Sequence, residues 1–166
     1  MSNKLILLSV FLITAVFISG CIDGTKSPET SGQALIPTTG LPAGFTYMGT
    51  HYADVEIGGK SVNATEGVYR IGEDDIYIQV IENEKPDALM EQYKSDFKKQ
   101  FKSEYNPFEE VSFNGHTATK TTDFITMKGE QKTRYSIIWV TGKSMVIVGS
   151  SSDFQAVKDL ATATGH

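Results

Sequence analysis

The stretch EQKTRYSIIWVTGKSMVIVGS, residues 130–150, decides the fold. Tyr135, Ile137 and Trp139 alternate onto one side of an extended run, yet Ile138 and Val140 are apolar on the other. After the turn residues Thr141-Gly142-Lys143, residues 145–148 are apolar on both sides. A strand with one wet side alternates polar and apolar residues, whereas one that is apolar both ways needs cover on both. This pair of strands is therefore expected in the middle of a sheet, with material packed above and below it.

Working outward, residues 108–113 and 116–127 read as strands around Asn114-Gly115, the strongest short hairpin signal in the chain. Lys128-Gly129 turns that pair into 130–140, so the second half is expected to run as an antiparallel meander. Before it, Pro86 and Asp87 open a helix whose Leu89, Tyr93, Phe97 and Phe101 fall at four-residue spacing, with Asn106-Pro107 as its latest end. Strand-like runs precede the helix at 45–52, 54–57, 60–63, 65–71 and 76–82, turned by Gly58-Gly59 and by Gly72-Glu73-Asp74-Asp75. At the other end Ser152-Asp153-Phe154-Gln155 fits a capping box for a last helix whose Phe154, Val157, Leu160 and Ala161 share a face. The expectation is one α+β domain over 45–166: an antiparallel meander sheet packed by two helices, one on each face or both on one.

The order strands, helix, long meander, terminal helix, with Phe113-Asn114-Gly115-His116 opening the meander, resembles the PsbP/Mog1-like α/β/α sandwich over about residues 76–163. Small lipoproteins of methanogenic archaea are similar in layout. The resemblance implies an accessory or adaptor role rather than catalysis. It supplies no shared catalytic motif whose residues could be carried onto this chain.

The N-terminal part points to export. Lys4 precedes an apolar run at 5–18 that would span about 21 Å as a helix, short of the roughly 30 Å of hydrocarbon in a bilayer. Ile18-Ser19-Gly20-Cys21 follows at once and resembles the prokaryotic lipobox, which implies a signal peptide at 1–20 and a lipidated Cys21. The alternative is an uncleaved membrane anchor, since residues 5–22 just reach spanning length. Residues 21–44, rich in Thr, Ser, Gly and Pro without periodicity, read as a flexible tether.

Composition bounds the partners. The chain of 166 residues has a formal charge of −5, and with Lys4 removed alongside the leader 14 basic residues face 20 acidic ones. That balance, with no basic stripe, argues against nucleic-acid binding. Cys21 is the single cysteine, so no disulfide is available to hold the domain together.

No residue set announces a chemistry. His51, His116 and His166 lack metal-ligand spacing, and ordinary surface positions are expected for them. Glu73-Asp74-Asp75 and Glu109-Glu110 lack the alternation of a calcium loop, so a solvated turn cluster is favoured over a metal site. Ser150-Ser151-Ser152 sits in no Gly-x-Ser-x-Gly elbow, and Thr141-Gly142-Lys143-Ser144 lacks the leading glycine and following helix of a phosphate loop. Asn63-Ala64-Thr65 is a glycosylation sequon. Tyr47 and Tyr52 are the aromatic residues to examine first for recognition.

The leading expectation is a membrane-anchored cell-surface lipoprotein. It would be held to membrane lipid through Cys21 on the extracytoplasmic face and act, without catalysis or cofactor, as a binding or accessory module for an envelope or membrane protein. The alternative is an extracytoplasmic solute- or metal-binding protein drawing on Glu73, Asp74 and Asp75. A hydrolase would require His51 or His116 to meet a carboxylate or a serine in a cleft.

Overall fold

A computed structural model describes residues 31–166. The leader, Cys21 and the first ten residues of the expected tether lie outside them. Seven strands form one antiparallel sheet: β1 (Phe45–Ile57), β2 (Lys60–Ile71), β3 (Asp74–Glu82), β4 (Phe108–Phe113), β5 (His116–Met127), β6 (Glu130–Thr141) and β7 (Ser144–Ser151). Helix α1 (Pro86–Lys98) lies between β3 and β4 in the chain, and α2 (Phe154–Ala163) closes it. The sheet order is β1-β2-β3-β7-β6-β5-β4, two meanders joined through the β3–β7 pair. β7 is the middle strand and β6 its neighbour, as their two-sided hydrophobicity requires.

The helices take one face each. On the α2 side, Ile76, Ile78 and Val80 of β3, Ile137 and Trp139 of β6, and Val146 and Val148 of β7 pack with Val157 and Leu160. On the α1 side, Ile57, Ala64, Ile81, Ile138, Met145 and Ile147 pack with Leu89, Met90 and Tyr93. The Trp139 ring stands edge-to-face with Phe113 at 5.0 Å between centroids, and its buried indole N–H has no acceptor among the described residues.

Four expectations shift. The runs 45–52 and 54–57 are one strand, as are 60–63 and 65–71; a bulge between Tyr47 and Gly49 absorbs the irregularity in β1. Helix α1 stops at Lys98, where its ladder tightens into bonds from Lys99, Gln100 and Phe101 to the third residue before each. Phe101 therefore lies beyond the α-helix but keeps its ring on Phe97 at 5.3 Å, and it also meets Tyr105 and Phe124 at 5.2 and 6.4 Å. The cap of α2 is Asp153 rather than Ser152, its carboxylate accepting from the Gln155 and Ala156 amides at 2.9 and 3.3 Å.

The fourth correction concerns the tether assigned to 21–44, whose part from Ser31 onward belongs to the fold. Ser31–Leu35 forms a 3-10 turn, and Leu35 and Ile36 are buried in the α2-side core. Gly67 makes room for them: a Cβ there would stand 2.5 Å from Ile36 Cγ2. The Gly32 amide donates to Glu82 Oε1 at 2.8 Å, and the Tyr69 hydroxyl donates to the Pro37 carbonyl at 3.0 Å. Burial, with nearby Tyr47 adding to it, pushes the Tyr69 phenol well above its ordinary range.

Candidate functional site

The two sides of the sheet differ along the strands. On the α1 side, cross-strand neighbours form rows, and the row Ala53, Ala64 is apolar and covered. The next is His51, Glu66 and Gln79, running on through Ile147 and Ile138. The one after is Val68, Tyr77, Gly149, Ser136 and Thr121. Thus α1 covers the apolar end of this side, and the rows beyond it turn polar.

A groove of about 250 Å³ runs where the cover ends. Tyr77, Gln79, Thr121, Asp123, Ser136 and Gly149 line its sheet side, and Tyr93 and Phe97 from the second half of α1 form its wall, with rings stacked 6.1 Å apart. Gly149 is a fixed requirement of the floor, because a Cβ there would fall 2.0 Å from Ser136 Oγ and 2.6 Å from its Cβ. Burial pushes the Tyr93 phenol above its ordinary pKa, and the negative charge of Asp123 adds to the effect. Asp123 accepts from the Phe124 amide at 2.7 Å and has no cationic partner among the described residues.

At the groove's end a nearly buried carboxylate is held across three strands. Glu66, with a side chain 10% exposed, accepts from Gln79 Nε2 at 2.5 Å and pairs with His51 Nε2 at 3.0 Å. His51 is therefore a surface residue with a partner, its side chain 55% exposed. His116 opens β5 just after the Asn114-Gly115 turn and His166 follows α2, both exposed. His51 thus meets a carboxylate, one of the two partners a hydrolase could use, and it lines a separate cavity of about 160 Å³ with Thr50, Tyr52 and Thr65. Ser136 lies on β6, four strand positions from β1, or about 19 Å at the usual spacing.

A second cavity, of about 470 Å³, opens at the far end of the β5–β6 hairpin beside the start of α2. Its organiser is Arg134, which pairs with Asp74 at 2.9 Å and donates to the Ser150 carbonyl, while the Ser151 hydroxyl donates to Asp74 at 2.6 Å. This network locks β3, β6 and β7 together. It also disperses the acidic turn: Asp74 faces Arg134, and Asp75 is gripped by Arg70 at 2.8 and 3.0 Å, which holds its carboxyl below the usual range. No group of three His, Cys, Asp or Glu able to hold a metal occurs among the described residues. Glu109 and Glu110 point to opposite faces of β4, with Glu109 on Lys120 at 2.9 Å.

Other expected positions are also placed. Asn63 is exposed within β2, opposite Asp54. Tyr47 turns inward against Tyr69 at 5.6 Å, whereas Tyr52 is 81% exposed on the edge strand β1. Glu66, Gln79, Asp123, Ser136 and Arg134 were not singled out by sequence reasoning. The available signal was the polar break in otherwise two-sided strands: Gln79 between Ile78 and Val80, and Ser136 before Ile137 and Ile138.

No family model matches this chain, and no curated protein does. Among solved structures it is similar to a GTP binding regulator from Thermotoga maritima, with 9% identity over 80% of this chain and 79% of that one, at a TM-score of 0.48. A likeness of that size carries no argument about function.

Proposed function

We propose that this protein is a lipid-anchored extracytoplasmic binding module whose working surface is the open, polar half of the α1 side. The anchoring half of the reading rests on Ile18-Ser19-Gly20-Cys21 directly after the apolar run 5–18. The binding half rests on one observation: α1 covers only the apolar end of its side, and what it leaves open is a groove with an aromatic wall and hydrogen-bonding groups along its floor. The layering, one helix on each side of an antiparallel sheet, supports the finer reading of a PsbP/Mog1-like accessory protein.

The docked segment shortens the reach that the tether would allow. Only residues 22–30 separate Cys21 from Ser31, so even a fully extended chain holds the domain within about 35 Å of its lipid. An envelope or membrane protein partner is thus the natural occupant, and a solute held by the groove is the second reading, favoured by the groove's closed aromatic side.

The test is membrane extraction. Wild type is expected to stay with the membrane through an alkaline carbonate wash and Cys21→Ser to be released. A Cys21→Ser variant that remains bound points to an uncleaved helix, and crosslinking at Tyr77 or Ser136 that traps no envelope component removes the partner reading.

A further inference from the structure

The groove is one-sided in its charge. Its side-chain groups are the Asp123 carboxylate, the hydroxyls of Tyr77, Tyr93, Thr121, Ser136 and Ser150, and the amide of Gln79. Gln79 already donates through Nε2 to Glu66, so the end it offers is its carbonyl oxygen. No cation lines the groove, and those nearby are engaged elsewhere. Arg134 is held by Asp74 and Ser150, and Lys94 pairs with Glu91 at 3.1 Å. Lys99 pairs with Asp96 at 2.6 Å, and Lys98 is bound to the carbonyls of Lys102 and Ser103. The result is a pocket of hydroxyls that can turn to accept, with one carboxylate that has no cationic partner among the described residues and the rings of Tyr93 and Phe97 beside it.

Such a site matches a group with several donors, no acceptor and a positive charge. An alkylammonium has three donors and none of the acceptors that would compete, and its charge is attracted by both a carboxylate and aromatic faces. An anion would meet the Asp123 carboxylate with no cation on the groove's lining to offset it. A volume of about 250 Å³ accommodates a short aliphatic chain behind the ammonium.

We infer that this groove binds a primary alkylammonium group, presented either by a small free amine or by a lysine side chain of a partner. The inference deepens the binding reading above and rests on it. Asp123 receives the charge, Gln79 and Ser136 accept its remaining hydrogens, and Tyr93 and Phe97 flank the alkyl chain.

The full chain in detergent micelles can be titrated by calorimetry with n-butylammonium, with n-butanol as its neutral counterpart, and with an acetyl-Gly-Lys-Gly-amide tripeptide and its acetyl-lysine form. The charged member of each pair is expected to bind. Asp123→Asn should weaken it at least about tenfold, at unchanged melting temperature. Phe97→Leu, which keeps apolar volume but removes the ring, should weaken it about threefold and stands in should Asp123→Asn fail to fold. Comparable affinity for butylammonium and the tripeptide assigns a free amine. Preference for the tripeptide by about tenfold or more assigns a partner lysine. Equal binding of butanol overturns the ammonium assignment while leaving the groove as a binding surface. Absence of amine binding up to about 10 mM, or indifference to Asp123→Asn, overturns it outright. Neither result bears on the carbonate test of the anchor.

Discussion

The α2 side and the α1 side of the same sheet are built from alternate residues of the same strands, yet they end differently. On the α2 side, α2, the Ser31–Leu35 turn and Leu41 cover the middle of the sheet, leaving Tyr69, Ile76, Trp139 and Leu160 with almost no exposure, and the β1 edge at Tyr52 stays open. On the α1 side, one amphipathic helix covers the apolar end, and its second half borders a polar groove. Because successive residues of a strand point to opposite sides, each strand can serve both purposes at once. β3 contributes Ile76, Ile78 and Val80 to the sealed core while presenting Tyr77 and Gln79 to the groove. Stability is thereby assigned mostly to one face, and the other is free to carry recognition.

The comparison breaks most readily at the sealed face. Leu160→Ala removes a fully buried side chain and is expected to cost about 2–5 kcal/mol in urea unfolding, while Ser136→Ala in the groove stays within about 0.5 kcal/mol. Equal costs would mean that the two faces are not specialised.

Next in size are the close approaches. Gly67→Ala drives a Cβ into Ile36, and overpacking of this kind costs about 1–3 kcal/mol. Combined with Ile36→Ala, the same change should lose most of its penalty in a double-mutant cycle, because the two share one space. Additive costs would detach residues 31–44 from the core. Asp153→Ala, which uncaps α2, is expected to cost about 1 kcal/mol by thermal unfolding.

These positions show what could be read in the sequence. The central strands were legible because 137–140 and 145–148 are apolar on both sides, and the hairpins because Asn114-Gly115 and Gly58-Gly59 are local signals. The docking of Leu35 and Ile36 was not, since two apolar residues in a Thr, Gly and Pro setting carry no period and their cavity is made by Gly67, 31 positions away from Ile36. The end of α1 was bounded only from above by Asn106-Pro107, because Phe101 continues the four-residue spacing and meets Phe97 although the α-helix stops at Lys98. The groove escaped notice for the same physical reason: Gln79, Asp123 and Ser136 come together only through strand pairing, and no spacing in the chain reports that.

A smaller effect separates the faces by pH. Asp96 joins α1 to the β1–β2 turn by accepting from the Gly58 amide at 2.7 Å. Bonds from Lys99 and Gln92, with that amide, hold its carboxyl down to about 2. A depressed carboxyl stabilises the fold above its unfolded pKa of about 4, and that contribution is lost as pH falls toward about 2. Asp96→Asn should therefore flatten the fall of melting temperature over that acid window. An unchanged slope would show that α1 does not depend on this tie.

The most direct test of the division between a sealed face and a working one is a map of amide chemical shifts while n-butylammonium is titrated into the full chain in micelles. The account predicts saturable changes centred on Tyr77, Gln79, Asp123, Ser136 and Gly149, with Val157, Leu160 and Ile36 unmoved. Changes centred on α2 and Ile36, or none that saturate, would contradict it.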